Sequence, residues 1–156
     1  MQQHCINPDL VFTWGNPSRG DDALGPAMYD LLLQEDFNAV DLLTDFQLQI
    51  EHCIDLEARK RVLFVDASIS ANAPFELVCL QPEQDTSYTT HAMSPQALLS
   101  VYRQVNGSMP PPAWLLSIRG YEFGLGLPLS AAANKNLLAA FDHVKQFLDP
   151  ARLASR

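Results

Sequence analysis

The feature that most constrains the fold is a continuous apolar run in the middle of the chain, Val62–Val65, which ends on Asp66. A strand that is apolar on both faces is expected at the centre of a parallel sheet, where helices cover both sides. Apolar runs on either side of it alternate with helical patterns, which is typical of α/β domains. We therefore predict an α/β fold, a three-layer α/β/α sandwich with a mostly parallel five-stranded sheet, as a single domain over residues 1–156.

Periodicity and capping residues predict five strands and four helices. The strands are expected at residues 9–14, 38–43, 62–66, 75–80 and 114–118, and the helices at 25–36, 48–59, 95–105 and 131–148. The connection between the third and fourth strands, at about eight residues, is too short for a crossover helix. Strand 4 should therefore run antiparallel to strand 3.

Two of the predicted helices carry apolar stripes that should face the core. In the helix over 48–59 these residues are Ile50, Ile54 and Leu56. In the helix over 131–148 they are Leu137, Leu138, Phe141, Val144, Phe147 and Leu148.

Charge and cysteine content narrow the possible partners and the compartment. A net charge of −8 argues against nucleic acid and anionic membrane surfaces as partners. No apolar stretch approaches the roughly 20 residues of a membrane span. The three scattered cysteines predict reduced thiols in a cytoplasmic protein, with Cys53 and Cys79 packed in the core. The lack of a strong exposed apolar pattern favours a monomer.

A glycine-bounded turn, Gly15–Gly25, joins the first strand to the first helix. Such turns usually bind phosphate, but here Asp21 and Asp22 stand where a phosphate site would carry lysine or bare amides. The carboxylates would repel an anion, so the turn is suited to a metal ion or another cation. A serine hydrolase of the GxSxG type is excluded because that motif does not occur.

Three candidate ligands should meet at one edge of the sheet. Asp21 or Asp22 follows strand 1 and Asp66 ends strand 3, so these carboxylates share the carboxyl edge if the two strands are neighbours. The connector after strand 4 is long enough to bring His91 to the same edge. Two carboxylates and an imidazole suit a divalent transition metal. The alternative is that the aspartates cap a helix and a turn, and that His91 is an ordinary surface residue.

Four segments together resemble the nickel-iron hydrogenase maturation proteases, which remove the C-terminal extension of the hydrogenase large subunit. The matching segments are Gly15–Gly25, Val62–Ala67, His91–Pro95 and Ile118–Ser130. They follow the order and spacing of that family. The resemblance implies that the nickel is carried by the substrate, the large-subunit precursor, rather than held permanently by the protease.

The family's functional residues can be transferred to matching positions of this chain. The metal-contacting and catalytic residues fall on Asp22, Asp66 and His91. Separately, we expect Asn16 to order the turn and Asn16 and Gln47 to contact the substrate. Two departures occur: Ala23 replaces the family's usual glycine, and residues 45–51 replace a Gly-rich segment that contains threonine. These departures resemble the branch that serves cytoplasmic NAD-reducing hydrogenases.

The function implied by the resemblance is a hydrogenase maturation endopeptidase that senses nickel on its substrate. Whether the metal or an aspartate activates the attacking water is left open by the sequence. Two alternatives remain at this point. One is a metallohydrolase that holds its own zinc at the same three residues, and the other is a nickel-dependent binding module or chaperone without hydrolytic activity.

Overall fold

The computed structural model describes residues 5–83 and 93–149. The strands are β1 (Asp9–Trp14), β2 (Val40–Asp45), β3 (Arg61–Ser68), β4 (Phe75–Leu80) and β5 (Ala113–Arg119). The α-helices are α1 (Leu24–Leu33), α2 (Pro95–Asn106) and α3 (Ala131–Leu148). Two 3-10 helices, Gly20–Ala23 and Ile50–Leu56, complete these elements.

The five strands form one sheet in the order β2-β1-β3-β5-β4. All neighbouring pairs are parallel except β4 and β5, so β4 runs antiparallel to β3 as predicted, with β5 between them. β1 and β3 are neighbours, and the chain leaves them toward opposite edges of the sheet. This is the switch point at which doubly wound sheets bind ligands.

Two hydrophobic cores cover the two faces of the sheet, which confirms the three-layer α/β/α architecture. On one face, α1 and α3 pack on β1, β3 and β5 through Met28, Leu32, Leu137 and Val144. On the other face, α2 and the 3-10 helix Ile50–Leu56 pack on the same strands. β3 is buried from Val62 to Val65, as its uninterrupted apolar sequence predicts.

The helix predicted over 48–59 is wrong in type and in its buried face. The segment forms a short 3-10 helix, Ile50–Leu56, in which Leu56 is buried but Ile50 and Ile54 are exposed. An α-helix would place residues 50 and 54 on one face, whereas three residues per turn rotate Ile54 away from Cys53 and Leu56. Ile54 is therefore left on the outer surface, and Ile50, the first residue of the 3-10 helix, is exposed as well.

Other details also differ from the sequence prediction. Leu138 is exposed on α3, although the other residues of the predicted stripe are buried or half-buried. Cys79 is exposed on the edge strand β4, so only Cys53 packs against a core. Within residues 5–83 and 93–149, no helix has the length and apolar character that crossing a bilayer requires.

Candidate active site

The turn after β1 is shaped by a glycine at its first position. Gly15 has φ +150°, and a Cβ atom there would lie 2.0 Å from the carbonyl oxygen of Asp22. Only glycine therefore lets the strand end approach the Asp22 backbone so closely. The Gly15 N–H donates to the carbonyl oxygen of Asp45 at 3.1 Å, which fixes the turn to the end of β2.

Asn16 holds the carboxylate of Asp22. The Asn16 backbone N–H donates to Asp22 Oδ2 at 2.7 Å, and the Asn16 side-chain oxygen accepts from the N–H of Ser18 at 2.9 Å. Asp22 is partly exposed, so it retains acceptor capacity for a ligand. The role of Asn16 in substrate binding stays a prediction.

The neighbouring Asp21 is engaged differently, because it is completely buried. Its carboxylate accepts from the backbone N–H groups of Tyr121, Glu122 and Ser130 and from the Ser130 hydroxyl, at 2.7–3.0 Å. Burial by itself would raise the pKa of Asp21, but these hydrogen bonds outweigh it and hold the pKa below its usual value. Asp21 therefore binds the turn to the loop between β5 and α3.

Asp66 lies near the end of β3, one position beyond the Thr13–Val65 pair that joins β1 to β3. Burial and the negative charge of Asp22 raise the pKa of Asp66 to about 7, against hydrogen bonds from the Ala67 N–H and the Trp14 side chain. Asp22 and Asp66, which we call the acid pair, therefore interact electrostatically. Near neutral pH, Asp66 can therefore gain or lose a proton readily.

The other two predicted site residues are Gln47 and His91. Gln47 lies half-buried in the loop after β2. His91 lies outside the described residues. Across residues 5–83 and 93–149, no three side chains among His, Cys, Asp and Glu are close enough to hold a metal ion together.

A histidine–carboxylate pair beside the acid pair was not predicted from the sequence. His52 Nδ1 accepts from the N–H of Gln49 at 2.8 Å, so its Nε2 carries the hydrogen that reaches Asp45 Oδ2 at 3.1 Å. The His52 ring also packs edge-on against Phe12, with 4.5 Å between ring centroids. The sequence gives no sign that His52 and Asp45 meet, because their contact depends on the fold of the loop between them.

A groove of about 260 Å³ opens next to this pair, at the carboxyl ends of β1 and β2. Its lining residues come from the first turn, the start of α1 and the end of β2. They are Gly15, Pro17, Pro26, Thr44, Asp45 and Phe46.

The fold has clear counterparts among solved structures. The chain has the fold of the hydrogenase maturation proteases, as the resemblance in sequence predicted. No protein-family model and no curated protein matches its sequence.

Three of these solved structures illustrate the likeness. The hydrogenase-maturating endopeptidase HybD from Escherichia coli is 22% identical with a TM-score of 0.73, and the alignment covers 92% of this chain and 93% of HybD. The maturation protease HycI from Thermococcus kodakarensis KOD1 is 20% identical over 92% of this chain and 93% of HycI, with a TM-score of 0.71. The hydrogenase 2 maturation peptidase of a Thaumarchaeota archaeon is 25% identical over 90% of this chain and 97% of that chain, with a TM-score of 0.65.

Proposed function

We propose that the protein is an endopeptidase that removes the C-terminal extension from the precursor of a nickel-iron hydrogenase large subunit. The observation that supports this most directly is the acid pair. Asp22 and Asp66 lie at the switch point of a sheet whose fold is shared with hydrogenase maturation endopeptidases. Nickel on the precursor is part of the substrate in this proposal, and cleavage follows nickel insertion.

The acid pair is suited to recognising a cation that arrives with another protein. Asp66 is protonated part of the time near pH 7, because burial and the Asp22 charge disfavour its ionised form. A divalent cation between the carboxylates reverses this effect, since it stabilises both negative charges. Asp66 then loses its proton and both residues contact the nickel, with His91 as the third contact.

The attacking water is activated at the same place in this proposal. Water beside a divalent metal has a lowered pKa, and a neighbouring carboxylate can accept its proton. Asp22 is held in position by the Asn16 N–H, so its orientation does not depend on the substrate. We assign metal-assisted hydrolysis to the site, with the aspartates as the proton acceptors.

The partner, the oligomeric state and the compartment follow from the same proposal. The partner is the large-subunit precursor, and the protease acts as a monomer in the cytoplasm, without nucleic acid or membrane. The net charge of −8 supports a partner that carries a metal cation rather than a polyanion. The branch that serves NAD-reducing hydrogenases stays a prediction.

The decisive experiment is incubation of the purified protein with nickel-loaded and nickel-free large-subunit precursor, followed by mass spectrometry. We expect the loaded precursor alone to lose its C-terminal extension. Asp22→Asn and His91→Ala should each lower the cleavage rate by about 10²–10⁴-fold. Asp36→Asn is the matched control, because Asp36 is an exposed aspartate in the turn after α1.

Each outcome separates the proposal from its alternatives. An intact precursor recovered in complex with the protein would instead support a binding module. Tightly bound stoichiometric zinc in the purified protein, with cleavage of nickel-free precursor, would support a resident-metal hydrolase. Normal cleavage by Asp22→Asn would contradict the assignment of the acid pair.

A further inference from the structure

Three large apolar side chains are exposed within one short segment after β2. They are Phe46, Ile50 and Ile54, whose exposed fractions are 67%, 50% and 70%. We call these three residues the apolar platform. Exposed apolar side chains that together form a patch mark surfaces that contact another molecule.

The segment that carries the platform is anchored to the hydrophobic core. Leu48 and Leu56 are buried in the core formed with α2, and they lie within or at the ends of the same segment. His52 is bonded to both Asp45 and the Gln49 N–H. A partner therefore meets a preformed surface, which lowers the entropic cost of binding.

The groove connects Phe46 of the platform with the turn that holds Asp22. Phe46 forms one wall of the groove, and Gly15 and Pro17 of the first turn form another. Between those two residues lies Asn16, whose N–H donates to Asp22. A segment that lies along the groove from Phe46 is therefore directed toward the turn that holds Asp22.

We propose that the apolar platform and the groove dock an apolar segment of the hydrogenase precursor that carries no acidic side chains. This inference rests on the proposed function, because it takes the precursor as the partner. The charge around the surface specifies the chemistry. Asp45 lines the groove, and Glu51 is exposed between Ile50 and Ile54 in the sequence. Asp22 accepts from Asn16, which lies between the groove residues Gly15 and Pro17. An acidic segment would be repelled at each of these points.

The test measures binding of nickel-free precursor, which the proposed function does not expect to be cleaved. Isothermal titration calorimetry should give a Kd at least about tenfold weaker for Ile50→Ser/Ile54→Ser and for Phe46→Ala than for the wild type, as expected for loss of apolar contact area. With loaded precursor, the same variants should raise KM with little change in kcat.

Val105→Ser/Met109→Ser is the matched control. These residues have exposed fractions of 70% and 62%, but they lie before β5, at the opposite edge of the sheet. Thermal unfolding of every variant verifies that the fold is retained. Unchanged Kd and KM in the platform variants, or equal weakening in the control, would overturn the docking proposal.

Two further outcomes separate this inference from the proposed function. If the wild type binds precursor through the platform but cleaves neither form, the function fails and the docking surface stands. If cleavage is normal and independent of the platform, the function stands and the docking surface fails. Light scattering that shows a dimer in the wild type and a monomer in Ile50→Ser/Ile54→Ser would overturn the precursor as occupant, in favour of a second copy of the chain.

Discussion

The charge of Asp22 is one of the two causes that raise the pKa of Asp66 to about 7, the other being burial of Asp66 itself. Asp22 follows β1 and Asp66 lies near the end of the neighbouring strand β3, so the topology brings together groups that are 44 positions apart in the chain. Two negative charges that lie close together are unfavourable for folding. Such an arrangement at the switch point of a sheet is expected of a functional site.

The first prediction concerns the cost of ionising Asp66. Its folded pKa of about 7 lies above its usual value of 3.8, so its contribution to stability is fully present below pH 3.8 and is lost as the pH rises through 7. Asp66→Asn should therefore be more stable than the wild type at pH 8, by on the order of 3 kcal/mol. Urea unfolding at several pH values measures this, with Asp36→Asn as the control, and a wild-type advantage at pH 8 would contradict it.

The second prediction concerns the pH dependence of cleavage. Because the free enzyme must lose the Asp66 proton before both carboxylates can contact the cation, kcat/KM should rise as the pH increases through about 7. The rise should be about tenfold per pH unit below that value. A pH profile with loaded precursor measures it, and a profile that is flat through pH 7 would show that the proton on Asp66 does not limit cleavage.

The third prediction concerns the hydrogen bonds of Asp21. Asp21→Ala removes an acceptor from four donors in the loop 121–130, and it should lower the free energy of unfolding by about 3–5 kcal/mol. The folded pKa of Asp21 is lowered, so this stabilisation is present above 3.8 and is lost as the pH falls through the folded pKa. The loss should therefore shrink in acid. Asp22→Asn, at a partly exposed residue, should cost much less at neutral pH.

The fourth prediction concerns the close approach at Gly15. A Cβ there would overlap the Asp22 carbonyl oxygen at 2.0 Å, so Gly15→Ala should destabilise the protein by about 2–4 kcal/mol and should displace Asp22. Gly107→Ala is a matched control, because Gly107 also has positive φ but has open space around it. That variant should cost only about 1 kcal/mol. Equal losses in denaturant titrations would show that backbone strain alone accounts for the effect.

The sequence predicted the parts of the fold that depend on burial and chain length. The uninterrupted apolar run at 62–65 indicated a central strand. The short connection before Phe75 indicated that strand 4 runs antiparallel to strand 3. Both predictions follow from the geometry of sheets. The helix at 48–59 was predicted wrongly. Its spacing of apolar residues fits an α-helix, and the anchoring of His52 by Asp45 is a tertiary contact that the spacing does not encode.

The candidate site was predictable to a similar degree. The position of Asp22 and Asp66 after parallel strands indicated one shared edge, but the two adjacent aspartates look alike in sequence. What separates them is the loop 121–130, which supplies donors to Asp21 from about a hundred positions away. No local pattern reveals such a contact.

The bonds of Asp21 also have a consequence for when the protein becomes active during its synthesis. The turn that carries Asp22 depends on donors from Tyr121 to Ser130, and β5, which completes the sheet between β3 and β4, is made only shortly before them. A nascent chain that ends before Tyr121 therefore has the acid pair in its sequence but lacks the loop that orders the turn. The turn therefore gains its order only after residues 121–130 have been made, so a shorter nascent chain does not present an assembled acid pair.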